Sequence, residues 1–537
     1  MKVENPQAFG DQALPGSSLV ISSLEEEKER RHQEHFRTDH LLANLKGRTI
    51  SSGAVTLSAQ GGKFFLNLVS TVVLARLLTP RDFGLVAMVA TITGFLRVFK
   101  DAGLSVATVQ RERITHAQVS NLFWINVLVS ALCGLVVAAL SPLIARFYHN
   151  PKLVSVTLLL SLTFLISGST VQHQALLKRQ MRFKMLAFID LGSMAVGAVI
   201  AVLMASLGFG YWSLVGSSLS MEGSAFLLTW SISRWRPQLP VRNSGIGPLV
   251  SFGTHRTIAD FMTSLARGSD NLLIGRVYGA ISVGLYSRAS ALLIRPMEQF
   301  LSPINAVFIP ALSRLQSQPE RYRCAFLRLY ESMILTSFFF SALLLALSRP
   351  LTLVLLGPKW EQASVIVGGF TVAALCVPLL YAVMWLFTSQ GRGRDTLISQ
   401  SINSCVMLLS FFVGLPYGPV GVAISFSVTG LLVRVPISYF IVGRRGPVRT
   451  ADLWLVFLRH VPLWVIVFGA TWLTLIFTLH LLPLAQLAIC GTIGLLAGLG
   501  FICSFSSQRE VAAHLWQTLR EVARPMKRNT IYATQQQ

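Results

Sequence analysis

Two stretches of this chain, 200 positions apart, repeat each other without an insertion. Ser51 aligns with Ser251, Gly53 with Gly253, Ala59 with Ala259, Arg76 with Arg276, Gly84 with Gly284 and Leu85 with Leu285. Each stretch carries a polar stripe. The first runs Thr56, Gln60, Lys63, Asn67, Ser70, and the second Arg256, Asp260, Thr263, Arg267, Asp270. Both step four, three, four, three, which keeps every member on one helical face. The residues around them are apolar over lengths that cross a bilayer, at about 20 residues per crossing. A duplicated membrane bundle with ionisable residues turned inward is the expectation. Inside a membrane such residues mark substrate or ion paths.

Composition points the same way. Hydrophobic residues make up 53% of the 537 residues and charged ones 13%, about half the charged share of a soluble domain. The net charge of +23 would suggest nucleic acid in a soluble protein. In a membrane protein it is the excess of lysine and arginine on the cytoplasmic side, and no nucleic-acid partner is expected. Cys133, Cys324, Cys376, Cys405, Cys490 and Cys503 are scattered through apolar segments without metal-ligand spacing, so neither a metal nor a cofactor is expected. No phosphate-binding GK[ST] loop, HExxH or GxSxG is present, which argues against an enzyme and against nucleotide-driven transport.

Fourteen candidate spans follow: 51–78, 82–107, 117–141, 153–177, 185–207, 210–233, 248–275, 281–306, 325–347, 363–388, 396–414, 418–441, 454–479 and 484–505. The first, second, seventh and eighth carry enough charge for hydropathy alone to miss them, but the repeat pairs first with seventh and second with eighth. With the N-terminus inside, inner loops hold seventeen lysines and arginines and outer connections six, so both termini are expected in the cytoplasm. The expected order is a cytoplasmic N-terminal tail (1–50), one six-helix lobe (51–233), a second (248–441), two further helices (454–505) and a cytoplasmic tail (506–537). Equal parity makes the halves parallel repeats about an axis along the membrane normal.

A lysine or arginine at the centre of a spanning helix costs roughly 2.5–3.5 kcal/mol on insertion scales. Spans one, two, seven and eight nevertheless hold Lys63, Arg97, Lys100, Arg256, Arg267, Arg288 and Arg295, against Asp101, Asp260, Asp270 and Glu298. Seven cations against four anions suggest a net cationic central cavity suited to a phosphate or pyrophosphate, which arginine forks match. The substrate-contacting set is expected to be Gln60, Lys63, Asn67, Arg97, Arg256, Arg267, Asp270, Arg288 and Arg295. Asp260 and Glu298 are candidates for ion coupling. Pro296 is expected to kink the eighth span. His173 is expected to pack rather than to bind a ligand, and Gly491, Gly494 and Gly498 to let helices approach closely. Trp212, Trp235, Trp360 and Trp385 sit near span ends, as interface anchors do.

The run VLARLLTPRDFGLVA from Val73 to Ala87 resembles the opening motif of bacterial polysaccharide flippases, the polysaccharide transporter branch of the multidrug/oligosaccharidyl-lipid/polysaccharide exporter superfamily. Further similar segments are DAGL from Asp101, DNLLIGR from Asp270, GLYSRA from Gly284 and PINAVFIPALSR from Pro303. The resemblance covers about 50–450 and is strongest to colanic-acid-exporter-like members. It implies an all-α fold of two six-helix lobes forming a V, with alternating access. It also implies a substrate: an undecaprenyl-pyrophosphate-linked oligosaccharide carried across the inner membrane for surface polysaccharide or lipopolysaccharide synthesis. Membrane lipids, a polysaccharide polymerase and glycosyltransferases are the partners implied. The alternatives are a lipid-linked peptidoglycan precursor flippase, against which the opening motif argues, and a multidrug exporter, whose site would favour acidic over basic residues. A polymerase or ligase would be expected to carry a large outer loop, and the longest here is about 15 residues, 348–362.

Overall fold

The computed structural model describes residues 45–101, 103–111, 114–241, 247–506, 508–511 and 513. The two expected tails lie almost wholly outside the described residues. So do several side chains of the two repeated stretches, among them Thr56, Arg256, Asp260, Thr263 and Arg295.

Every regular element among the described residues is helical. The N-terminal half comprises α1 (Leu45–Leu77), α2 (Pro80–Arg97), α3 (Leu104–Gln110), α4 (His116–Ala139), α5 (Ser141–Phe147), α6 (Lys152–Gly168), α7 (Val171–Arg179), α8 (Phe183–Ser206) and α9 (Trp212–Ser233). The long α10 (Gly247–Ser313) opens the second half. After it come α11 (Pro319–Ala346), α12 (Ser348–Leu355), α13 (Glu361–Ser389), α14 (Gly393–Gly414), α15 (Gly418–Thr429) and α16 (Val435–Gly443), the last two joined by a π-helical turn. The last two are α17 (Thr450–Phe477) and α18 (Pro483–Ser504). Nine helical stretches among the described residues are long and apolar enough to cross a membrane. The charged α1 and α2 are not among these nine, as their composition leads one to expect.

Local chemistry sets the breaks. Between α1 and α2 the sequence Thr-Pro-Arg-Asp is a capping box with proline in the first turn. Thr79 N donates to Asp82 Oδ2 at 2.9 Å, and Asp82 N donates back to Thr79 Oγ1 at 3.4 Å. Two orphan helix donors are satisfied at once. Thr115 and Gln118 repeat the device at α4. Within α10 only Gly279 leaves helical geometry, with φ +76°, a value glycine takes without steric cost. Helical geometry runs through Pro296, and the non-helical residue of α10 is Gly279. The second span also ends early. α2 stops at Arg97, and a turn containing Gly103 at φ +64° leads into the separate α3.

In the N-terminal half α8 packs along α9 and α1, and α4 along α6. In the C-terminal half α13 is the central helix, packed on α10, α11 and α15, with α17 between α11 and α18. α2 runs along α10 and is the main link between the halves. Trp235, Trp360 and Trp385 are all within 1% of full burial, so they are core residues and not exposed interface anchors. The reason is partners: Trp360 donates its indole N–H to Ala75 O at 2.8 Å, and Trp385 donates to Asn305 Oδ1. Side chains added at Gly494 or Gly498 of α18 would strike Leu343 and Phe339 of α11, so these two glycines permit close packing.

Candidate functional site

A polar pocket of about 440 Å³ lies inside the N-terminal half. Lys63 of α1 reaches Asp190 of α8, with Nζ 2.5 Å from Oδ2. Lys100 and Asp101 enter from the turn after α2, Lys178 from α7 and Glu222 from α9. Three lysines face three carboxylates, so the pocket is charge-balanced. The balance comes from Asp190 and Glu222, which turn inward from α8 and α9; this pocket is distinct from the cationic cavity expected among the first, second, seventh and eighth spans.

A buried network fixes the turn that delivers Lys100 and Asp101. Asn126, with no exposed surface, donates its amide N–H to Lys100 O at 2.9 Å and to Asp101 O at 3.0 Å. Gln172, equally buried, donates to Asn126 Oδ1 at 2.8 Å, and its carbonyl accepts from Thr108 Oγ1 at 2.8 Å. Asp101 is oriented by Ser105, which donates from both N (2.9 Å) and Oγ (2.5 Å). Unpaired amides in such a place would be costly, so a satisfied network rigidifies the turn. Sequence reasoning missed Asn126 and Gln172. Asn126's only signal is an amide inside the apolar α4, and Gln172, in the polar run 172–174 of α7, carries none.

The remaining expected site residues fall elsewhere. Arg267 and Glu298 join the two arms of α10, with Nη1 3.2 Å from Oε1. Asp270 Oδ1 accepts from Asn271 N at 2.7 Å. The Arg288 guanidinium lies 4.6 Å from the centre of the Phe83 ring, linking α10 to α2. Gln60, Asn67 and Arg97 are exposed. Arg267, Glu298 and Arg288 do not line the Lys63 pocket. Arg256, Asp260 and Arg295 lie outside the described side chains.

At the opposite end of α2 the halves interlock. Gly84 lies against the backbone carbonyl of Ala280, and Gly284 against that of Pro80. Any Cβ at either glycine would fall far inside van der Waals contact with that carbonyl. Positions 84 and 284 are equivalent in the repeat, as are 80 and 280, so the contact is reciprocal about a local pseudo-two-fold axis. The equivalent arginines do likewise. Arg76 donates from Nη2 to Val354 O at 2.6 Å. Arg276 sits 3.0 Å from His149 Nδ1 and 5.6 Å from the Phe147 ring centre. Each thus grips a connection of the other half. The conspicuous LARLLTPRDFG motif has its physical explanation here: a cross-half arginine, a capping box, a phenylalanine set edge-on against Trp360 at 5.4 Å, and a glycine at the crossing.

Comparison with known proteins places this geometry. A family described as polysaccharide biosynthesis protein matches residues 73–365. The teichuronic acid biosynthesis protein TuaB of Bacillus subtilis is 25% identical over 412 residues, 76% of this chain and 82% of its own. The succinoglycan biosynthesis transport protein ExoT of Rhizobium meliloti is 29% identical over 328 residues, 60% of this chain and 66% of its own. Among solved structures, a lipid II flippase, MurJ, in an inward closed conformation superposes with a TM-score of 0.67 at 16% identity, covering 85% of this chain and 99% of its own. That likeness is one of fold.

Proposed function

Since this chain belongs to the polysaccharide biosynthesis protein family, and is a multi-pass membrane transporter of that group, we propose that it flips an undecaprenyl-pyrophosphate-linked oligosaccharide from the cytoplasmic to the outer leaflet of the inner membrane. The proposal includes fourteen spans, arranged as two six-helix lobes (51–233 and 248–441) plus two helices (454–505), with both termini in the cytoplasm.

The observation that carries this reading is the contrast between the two ends of α2. One end is interlocked through Gly84 and Gly284, while the other delivers Lys100 and Asp101 into a polar pocket. A molecule closed at one end and lined with charge toward the other is one state of an alternating-access cycle. The lysines and arginines of α1, α2 and α10 suit the pyrophosphate. Gln60 and Asn67 offer hydrogen bonds to sugars, and the polyprenyl tail stays in lipid. Asp260 and Glu298 are proposed to couple the cycle to an ion.

The test is the leaflet distribution of the lipid-linked oligosaccharide in cells depleted of the protein. Wild type is expected to clear an intermediate that accumulates on the cytoplasmic face, and Arg267→Ala or Lys63→Ala to clear it poorly. An intermediate that reaches the outer leaflet without the protein would remove this assignment.

A further inference from the structure

A second concavity, of about 540 Å³, lies on the N-terminal half where the start of α4 meets the ends of α6 and α9. Its walls are Phe123, Trp124, Leu165, Phe226 and Trp230, and Arg236 stands at its edge. No acidic side chain lines it. The floor is a set of interlocked rings: Phe123 packs edge-on to Trp230 and Trp235, and His173 lies 4.6 Å from Trp230 and 4.8 Å from Trp235 between ring centres. The concavity is therefore built into the fold.

The indole N–H groups of its walls are already satisfied. Trp124 donates its indole N–H to Gln238 O at 2.8 Å, and Trp230 donates to Ser169 O at 3.1 Å. What faces outward is hydrocarbon and one guanidinium. Arg236 is held over the Trp230 ring, 5.2 Å from its centre. Its Nη1 donates to Trp230 O and Trp235 O, both at 3.0 Å, which leaves Nε and Nη2 to meet an anion. Sugars would find no hydrogen-bond partners along these walls. An acyl chain would find apolar contact along them, and a phosphate at its head would meet Arg236.

We propose that this groove holds one acyl chain of an anionic phospholipid, with the lipid phosphate on Arg236. The groove lies at the helix ends that the charge asymmetry assigns to the cytoplasmic side, where the leaflet is anionic. The proposal rests on the membrane location and the orientation proposed above, and stands apart from the substrate reading.

The full chain is reconstituted in phosphatidylcholine vesicles containing brominated phosphatidylglycerol, and quenching of tryptophan fluorescence is compared with that by brominated phosphatidylcholine. Phosphatidylglycerol is expected to be preferred about fivefold, the scale of one arginine at an anionic surface. Arg236→Gln should abolish the preference, and Val127→Phe, at a further lining position of the groove, should fill it and reduce quenching by both lipids. Equal melting temperatures establish that the variants fold. Equal quenching by the two lipids, or a preference unchanged in Arg236→Gln, overturns the proposal. So does displacement of phosphatidylglycerol by trace polyprenyl phosphate, which would assign the groove to the substrate tail.

Discussion

Gln172 and Asn126 have no exposed surface, and between them they hold the α2–α3 turn through four hydrogen bonds. Replacing Gln172 with Leu removes the donor to Asn126 and the acceptor for Thr108. A lost buried hydrogen bond of this kind costs about 1–3 kcal/mol, so Gln172→Leu is expected to lower thermal stability in detergent. Transport should fall as well, because the turn delivers Lys100 and Asp101. An unchanged unfolding temperature would mean that the turn is held by packing alone. At the Lys63–Asp190 pair the expectation is different. Each side chain keeps substantial exposure, 29% and 40%, so the pair is a weak source of stability. Lys63→Ala and Asp190→Asn should leave the melting temperature within a degree or two of wild type, while a double-mutant cycle read on transport shows coupling. Additive losses would show that the two residues act independently.

At the scale of elements, the crossing of α2 and α10 is set by two glycines whose neighbours are backbone and cannot yield. Gly84→Ala and Gly284→Ala are each expected to push the helices apart. In a cysteine-free background, a cysteine at Ser282 should then be labelled several-fold faster by a membrane-impermeant thiol reagent. Labelling that stays at the wild-type rate would show that the crossing survives with a side chain present. The helices themselves were legible in the sequence, because apolar length and the Thr-Pro-Arg-Asp cap are local signals. The early end of α2 at Arg97 was not. Hydropathy continues through Leu104 and Val106, and only the left-handed Gly103 and the Asn126 bonds, which are tertiary, stop the helix. The pocket was half legible for the same reason. Lys63 announces itself in the polar stripe of an otherwise apolar span, whereas Asp190 and Glu222 become pocket residues only when α8 and α9 pack against each other. Trp235, Trp360 and Trp385 were misleading because a tryptophan near a span end looks the same in sequence whether it meets lipid, a carbonyl of another helix (Trp360 and Trp385) or other buried rings (Trp235).

For the whole molecule, the proposed orientation places Gln238 and Tyr417 on opposite faces of the membrane. Single cysteines at these positions should be labelled from opposite sides in spheroplasts and inverted vesicles. Labelling of both from one side would overturn the fourteen-span order. The reciprocal contact has a consequence of its own. Position 84 touches 280 as 284 touches 80, which is the pattern of an isologous dimer interface, the same patch used twice. The chain is built like a homodimer whose two subunits were fused in line, and the glycine crossing is where those two halves meet. Such a boundary should still assemble without the covalent link. Fragments 1–241 and 247–537 made separately in one cell are expected to copurify, and a Gly84→Leu substitution in the first should abolish their association.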